Sequence, residues 1–243
     1  MKKKILALIL ACAMILALAA CSGSANTEQP AAEAPASDAA PAASAETPAA
    51  EGKTYTVGVC QLVQHEALDA ATQGFCDALT EALGDAVTID VQNASGDSVN
   101  CGTIVNGFVS KNVDLIMANA TPALTAAASA TADIPILGTS ITAYGVALDI
   151  ADFSGTVGGN ISGTSDLADL AAQAQMILDW FPDTQKVGLL FCSAEPNSRY
   201  QIEEVAKYLA DKGVETEEFA FTDTNDVASV TQSAADYADV VYI

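Results

Sequence analysis

Tyr55-Thr56-Val57-Gly58-Val59-Cys60 is a short β-branched run that leads straight into a different periodicity. Leu68, Ala71, Phe75, Ala78, Leu79 and Ala82 recur at the spacing of one helical face, so the stretch predicts a strand followed by an amphipathic helix. The alternation then continues. Residues 87–91, 113–117 and 134–137 read as strands and 98–109 and 122–131 as helices, with Pro122 suited to a first helical turn. Short apolar strands separated by longer helical segments predict an α/β fold with a parallel sheet, because parallel neighbours need a crossover rather than a hairpin.

A second series follows: a strand near Asn160-Ile161, a helix over 166–181, a strand over 187–191, a helix over 197–212, a strand over 214–219 and a helix over 226–237. Val187-Gly188-Leu189-Leu190-Phe191-Cys192 holds the place there that Val57-Gly58-Val59-Cys60 holds in the first series, a weak internal repeat. The expected layout is two Rossmann-like lobes, one over 54–140 and one over 159–243, joined by a segment over 141–158. Open α/β sheets present ligand-binding loops at the carboxyl ends of their strands, so a cleft is expected between the turns after the two matching strands.

Upstream, Lys2, Lys3 and Lys4 precede an apolar, alanine-rich run that ends in Leu18-Ala19-Ala20-Cys21. This is the pattern of a cleavable export signal over 1–20, and Cys21 after a small-residue cleavage site resembles the bacterial lipobox, where the thiol is lipidated. An ordinary signal peptide with a chance cysteine is the alternative; both readings put the protein outside the cytoplasm, the first on the outer face of the cell membrane. Residues 21–53, rich in Ala, Pro, Ser, Thr and Glu, read as a disordered tether, so the globular part is expected to begin near Thr54. Three of the nine basic residues leave with the signal, which leaves six against 31 acidic ones, a formal charge of −25. That balance excludes nucleic acid as a partner and leaves Arg199 as the one arginine able to grip an anion. His65 is the sole histidine and no cysteine spacing suits a metal, so no cofactor or metal is expected; Cys60, Cys76, Cys101 and Cys192 read as free, mostly buried thiols.

Five segments carry a resemblance: Gln61-Leu62-Val63-Gln64-His65, Gln92-Asn93-Ala94-Ser95-Gly96-Asp97, Ala120-Thr121-Pro122-Ala123, Gly159-Asn160-Ile161-Ser162-Gly163-Thr164-Ser165-Asp166, and Ser193-Ala194-Glu195-Pro196-Asn197-Ser198. In that order they resemble ABC-transporter substrate-binding lipoproteins of the tryptophan/tyrosine-binding type, from about Tyr55 to the last residue. The resemblance implies a type I periplasmic-binding-protein fold that closes on a small ligand and delivers it to a membrane permease driven by its ATPase. Two departures are visible. The family continues beyond the position of Ile243, so the second lobe and the lobe crossings are expected to be incomplete, and Ala143 stands where relatives have Asp.

Ligand-binding candidates follow from the turns. Thr121, before Pro122, is placed to cap a helix, to offer a carboxylate a hydroxyl beside free amides, or both. Thr139 and Ser140 end a strand in the same lobe, and Ser162 and Ser165 lie in a polar turn assigned to the other. Ser193, Glu195, Asn197 and Ser198 follow the strand over 187–191, where a carboxylate could meet a ligand ammonium; Asn197 or Ser198 reads equally as a cap. Gln61 and His65 occupy the matching turn, with His65 also readable as a capping or surface residue. Tyr144 and Tyr200 are candidates for stacking on an aromatic ligand, Trp180 reads as packing, and Asn93, Gly96 and Asp97 read mainly as turn formers. There is no Gly-x-Ser-x-Gly elbow, phosphate-cradling loop or dinucleotide fingerprint, which argues against an enzyme. Two functions remain: a solute receptor for an aromatic amino acid, and a surface lipoprotein acting as an adhesin or as the ligand-sensing partner of a signalling protein.

Overall fold

The computed structural model describes residues 52–222 and 224–243, all within one compact unit. The signal, Cys21 and nearly all of the tether lie outside the described residues.

β1 (Tyr55–Gln61) is the strand on which the first sheet is built. Its alternate side chains meet different layers. Val57 and Val59 pack with Met117 against Phe75 and Leu79 of α1 (Glu66–Leu83), while Gly58 and Cys60 face α2 (Ser98–Ser110), where Cys101, Val105 and Phe108 are fully buried. Burial on both faces is why the strand reads as a continuous apolar run. β2 (Val87–Asn93), β3 (Leu115–Asn119), β4 (Ile136–Ile141) and β5 (Ile161–Ser165) complete a five-stranded parallel sheet in the order β2-β1-β3-β4-β5. Val57 lies opposite Ile89 on β2 and Leu115 on β3. α3 (Thr121–Ala130) covers the same face as α2 and contributes Ala123, Leu124 and Ala127 to the core.

One expectation is overturned here. The strand at 161–165, expected to open the second lobe, is the outer strand of the first sheet, paired with β4. Residues 141–158 therefore leave β4, form the single turn of α4 (Tyr144–Ala147), and return to the same sheet. Close approach fixes the return: a Cβ on Gly163 would run into the Gly138 backbone and the Tyr144 hydroxyl. The crossing between sheets lies after β5, and the expected helix over 166–181 starts later, at Leu170, because the Asp169 carboxylate accepts from Ala172 N–H at 2.9 Å and caps it.

The second sheet has the order β7-β6-β8, from β6 (Lys186–Cys192), β7 (Glu215–Phe221) and β8 (Val240–Tyr242), again parallel. Val187, Leu189 and Phe191 share a core with Ile202, Val205 and Leu209 of α6 (Pro196–Asp211) and with Ala174 and Ile177 of α5 (Leu170–Trp180). On the opposite face, a Cβ at Gly188 would meet Ala234 and Ala238 beside α7 (Val227–Tyr237) and Phe219 at 3.3–3.4 Å. Asp239 Oδ2 accepts from the amides of Gln185 and Lys186 at 2.9 and 3.0 Å, which ties the start of β6 to that of β8 and holds this carboxyl below the usual range. Trp180, expected to pack, is 74 % exposed at the end of α5. Cys60 and Cys101 are buried, Cys76 and Cys192 half-buried, and all four are free thiols. Among the described residues no helix is long and apolar enough to cross a membrane.

At Gly58 a Cβ would lie 2.5–2.8 Å from three ring carbons of Phe108. Gly58→Ala is therefore expected to lower stability by about 1–3 kcal/mol through overpacking, read as a lower urea midpoint at unchanged slope.

Candidate functional site

Four turns converge on a cavity of about 770 Å³. From the first sheet come Leu62 and Val63 after β1 and residues 95–98 after β2; from the second come Cys192, Ala194 and Glu195 after β6 and Phe221, Thr222 and Thr224 after β7. All are carboxyl-end turns of parallel strands, where backbone groups leave the ladder and become available to a ligand. The walls are largely apolar, with Phe191, Phe221 and the ring of Tyr242 on one side; the Tyr242 hydroxyl points away and donates to Gln173 Oε1 at 2.6 Å.

Charge decides what the cavity accepts. Among the described residues Asp97 and Glu195 line it and no Lys, Arg or His does. Asp97 is partly committed, since its Oδ1 accepts from Val99 N–H at 2.8 Å and caps α2. Glu195 stands at the N-cap position of α6 without making a capping bond, so its half-buried carboxylate is available. Arg199 lies outside: its guanidinium stacks 4.9 Å above the Phe191 ring and pairs with Glu218 at 3.3 Å and Glu203 at 3.8 Å. An anionic group would instead meet the amino terminus of α6, which no side chain caps and whose Ser198 and Gln201 reach the cavity.

The remaining candidates are distributed elsewhere. Gln61 is 4 % exposed and committed within its own lobe: its Nε2 donates to Val63 O at 2.8 Å and Asp69 Oδ1 at 2.6 Å, and its Oε1 accepts from Thr72 Oγ1 at 2.6 Å. Asn119 Nδ2 extends this network by donating to Thr72 Oγ1 at 2.9 Å and Leu68 O at 2.8 Å. His65 caps α1, its Nδ1 accepting from Ala67 N–H at 3.2 Å. Thr121 is not the cap of α3; Ala120, at φ 92°, holds that position, and the Thr121 hydroxyl is buried without a partner. Thr139 and Ser162 border a separate hollow of about 330 Å³ on the α1 face of the first sheet, and Ser140 is a half-buried residue at φ 56°. Ser165 Oγ donates to Thr142 O at 2.9 Å, on the first sheet rather than across the cleft. Ser193 Oγ donates to Phe221 O at 3.1 Å, and Asn197 Oδ1 is buried and unpaired.

The aromatic candidates also move. Tyr144 is 6 % exposed in the first core, donating to Gly138 O at 3.1 Å, and burial pushes its phenol up. Tyr200 packs against the second core. Ala143 occupies the N-cap position of α4 and offers that helix no side-chain acceptor, which an aspartate would supply. Glu195 and Ser198 are thus the candidates that the structure brings together in the cavity. The sequence reading does not single out Ser95, Ser98 or Thr222 and takes Asp97 mainly as a turn former; the signal in each case is position after the second strand of a lobe.

Comparisons with known proteins bear on the family and the fold. The profile of ABC transporter substrate binding proteins matches residues 56–243. A tyrosine-binding protein of Clostridioides difficile (strain R20291) is 34% identical over 194 residues, 79% of this chain and 56% of that one. An ABC domain from Streptococcus pneumoniae in complex with L-Trp superposes with a TM-score of 0.72 at 33% identity, covering 79% of this chain and 66% of that chain. A ligand-free, open substrate binding protein with adhesive properties from Clostridium difficile gives 0.53 at 34% identity, over 78% and 65% of the two chains. The chain thus spans about half to two-thirds of the length of these relatives.

The internal network makes Gln61 a structural residue. Gln61→Ala, which strips partners from Asp69 and Thr72, is expected to cost about 2–3 kcal/mol in denaturant unfolding.

Proposed function

This chain belongs to the ABC transporter substrate binding protein family, with the α/β, parallel-sheet fold of type I periplasmic binding proteins, and from that premise we propose that it captures an aromatic amino acid in the cavity between its two sheets. The observation that carries the reading is the cavity's chemistry: among the described residues, two carboxylates, no cation and aromatic walls. Glu195 receives the ligand ammonium, with Asp97 adding negative potential. The amino terminus of α6, which no side chain caps, and the Ser198 hydroxyl meet the carboxylate without an arginine. Phe191, Phe221 and Tyr242 stack on the side chain. About 770 Å³ is the size of a small-molecule site and admits an amino acid with its bridging waters. The same reading makes the protein a receptor rather than an enzyme. Cys21 anchors it by lipid to the outer face of the membrane, and it passes its ligand to a permease worked by an ATPase. The names of the relatives that bind tyrosine and L-Trp support this choice of ligand.

A second reading has its own support: one relative of comparable identity is described as having adhesive properties. On that reading the chain is a surface lipoprotein that attaches to a cell or serves a signalling partner.

Thermal-shift measurements with the twenty amino acids separate the two. Tyr, Trp or Phe is expected to raise the melting temperature, since a ligand at a hundredfold excess over its Kd stabilises the folded state by about 2.7 kcal/mol. A folded chain that responds to none of the three overturns the aromatic assignment. For whichever amino acid binds, Glu195→Gln is expected to weaken affinity by about 10- to 100-fold by calorimetry, the loss of a charge-assisted bond.

A further inference from the structure

Cys60 and Cys101 belong to no part of the ligand cavity, yet the fold sets them face to face. Cys60 shares with Gly58 the face of β1 that looks onto α2. Cys101 shares with Val105 and Phe108 the face of α2 that looks back, one and two turns along the helix. α2 begins at the carboxyl end of the sheet and runs back along it, so its late residue Phe108 lies on Gly58 and its early residue Cys101 lies toward the strand end, on the side of Cys60. Both residues are 0 % exposed in one core cluster.

We propose that Cys60 and Cys101 are a disulfide-forming pair, closed by exchange with a thiol–disulfide oxidant, that staples the first turn of α2 to the end of β1. Each thiol is perturbed by the other: the neighbouring Cys101 helps push the Cys60 thiol up, and Cys60 draws the Cys101 thiol down. Cys101, as thiolate, attacks one sulfur of the oxidant's disulfide and releases the other as a thiolate, which takes up a proton. Cys60 then loses its proton to solvent and attacks Cys101 Sγ in the mixed disulfide, expelling the second oxidant thiolate. Two protein thiols become one disulfide, and one oxidant disulfide becomes two thiols. Because the pair is buried, closure takes place as the chain folds or when α2 opens locally. Cys76 and Cys192, half-buried and outside this cluster, are bystanders.

The linkage bears on the cavity. Asp97 and Ser98, at the start of α2, line it, and the turn before them hangs from β1 by Ala94 N–H to Gln61 O and Gly96 N–H to Leu62 O, both 2.8 Å. A covalent link at Cys101 fixes that wall to the sheet across a loop of about 40 residues, a length at which a disulfide strongly restricts the unfolded chain.

The full chain, refolded and equilibrated in reduced and oxidised glutathione, tests the pair wherever the protein resides in the cell. After non-reducing digestion at acidic residues, mass spectrometry is expected to find a Cys60–Cys101 linked peptide two hydrogens lighter than the sum of its parts. Reduction is expected to lower the melting midpoint by roughly 10 °C, a difference that Cys101→Ser abolishes. Alkylation of both thiols in the unfolded oxidised sample, glutathione adducts on them, or linkage to Cys76 or Cys192 overturns the proposal.

Discussion

Everything in the first sheet is arranged around the absence of a side chain at Gly58. The Phe108 ring of α2 occupies the space that a Cβ would need, so helix and strand approach closely enough for the rest of α2 to bury Val105 and Cys101 against β1. With that face closed and Val57 and Val59 closing the other against α1, β1 is desolvated on both sides. Its end then becomes a fixed point from which the turns toward the cavity are suspended. Packing at this density leaves little slack for the backbone to drift, which gives a site built from turns the precision of the sheet beneath it.

The polar groups follow a division of labour. Those of Gln61, Thr72 and Asn119 are largely spent inside the first lobe, joining β1, α1 and β3 beneath the surface. Those of Glu195 and Ser198 stay at the cavity because α6 begins with a proline and uses no side-chain cap. A pocket with carboxylates but no basic side chain suits a ligand that brings its own positive charge. Helix dipoles are left to meet whatever negative charge accompanies it.

Periodicity made the α/β alternation readable, because alternation along a strand and the 3.6-residue repeat of a helix are local properties. What is not local was misread. The strand at 161–165 was recognised near its start, but nothing in Ile161-Ser162-Gly163 specifies which sheet it joins; that depends on the fit of Gly163 under Gly138 and Tyr144. Val113 is buried yet precedes β3, since apolar character marks burial and not ladder pairing. Tyr144 and Trp180 exchanged their expected roles for the same reason: whether a ring meets the core or the solvent is decided by neighbours distant in sequence. Gln61 had the right position for a ligand contact, but the sequence alone does not reveal that Asp69 and Thr72, on the next helix, claim its amide first.

The strand orders β2-β1-β3 and β7-β6-β8 are the same arrangement twice, with α2 matched by α7 and Gly58 by Gly188. The two do not have equal latitude. In the first, an aromatic ring fills the notch above the glycine; in the second, the notch is bounded largely by the small Ala234 and Ala238. Position 188 has room for a side chain once its neighbours yield by a few tenths of an ångström, whereas a side chain at position 58 is accommodated only if the Phe108 ring moves or shrinks. The first half is therefore the less forgiving of the two to redesign, since its glycine and the ring above it have to be exchanged as a pair.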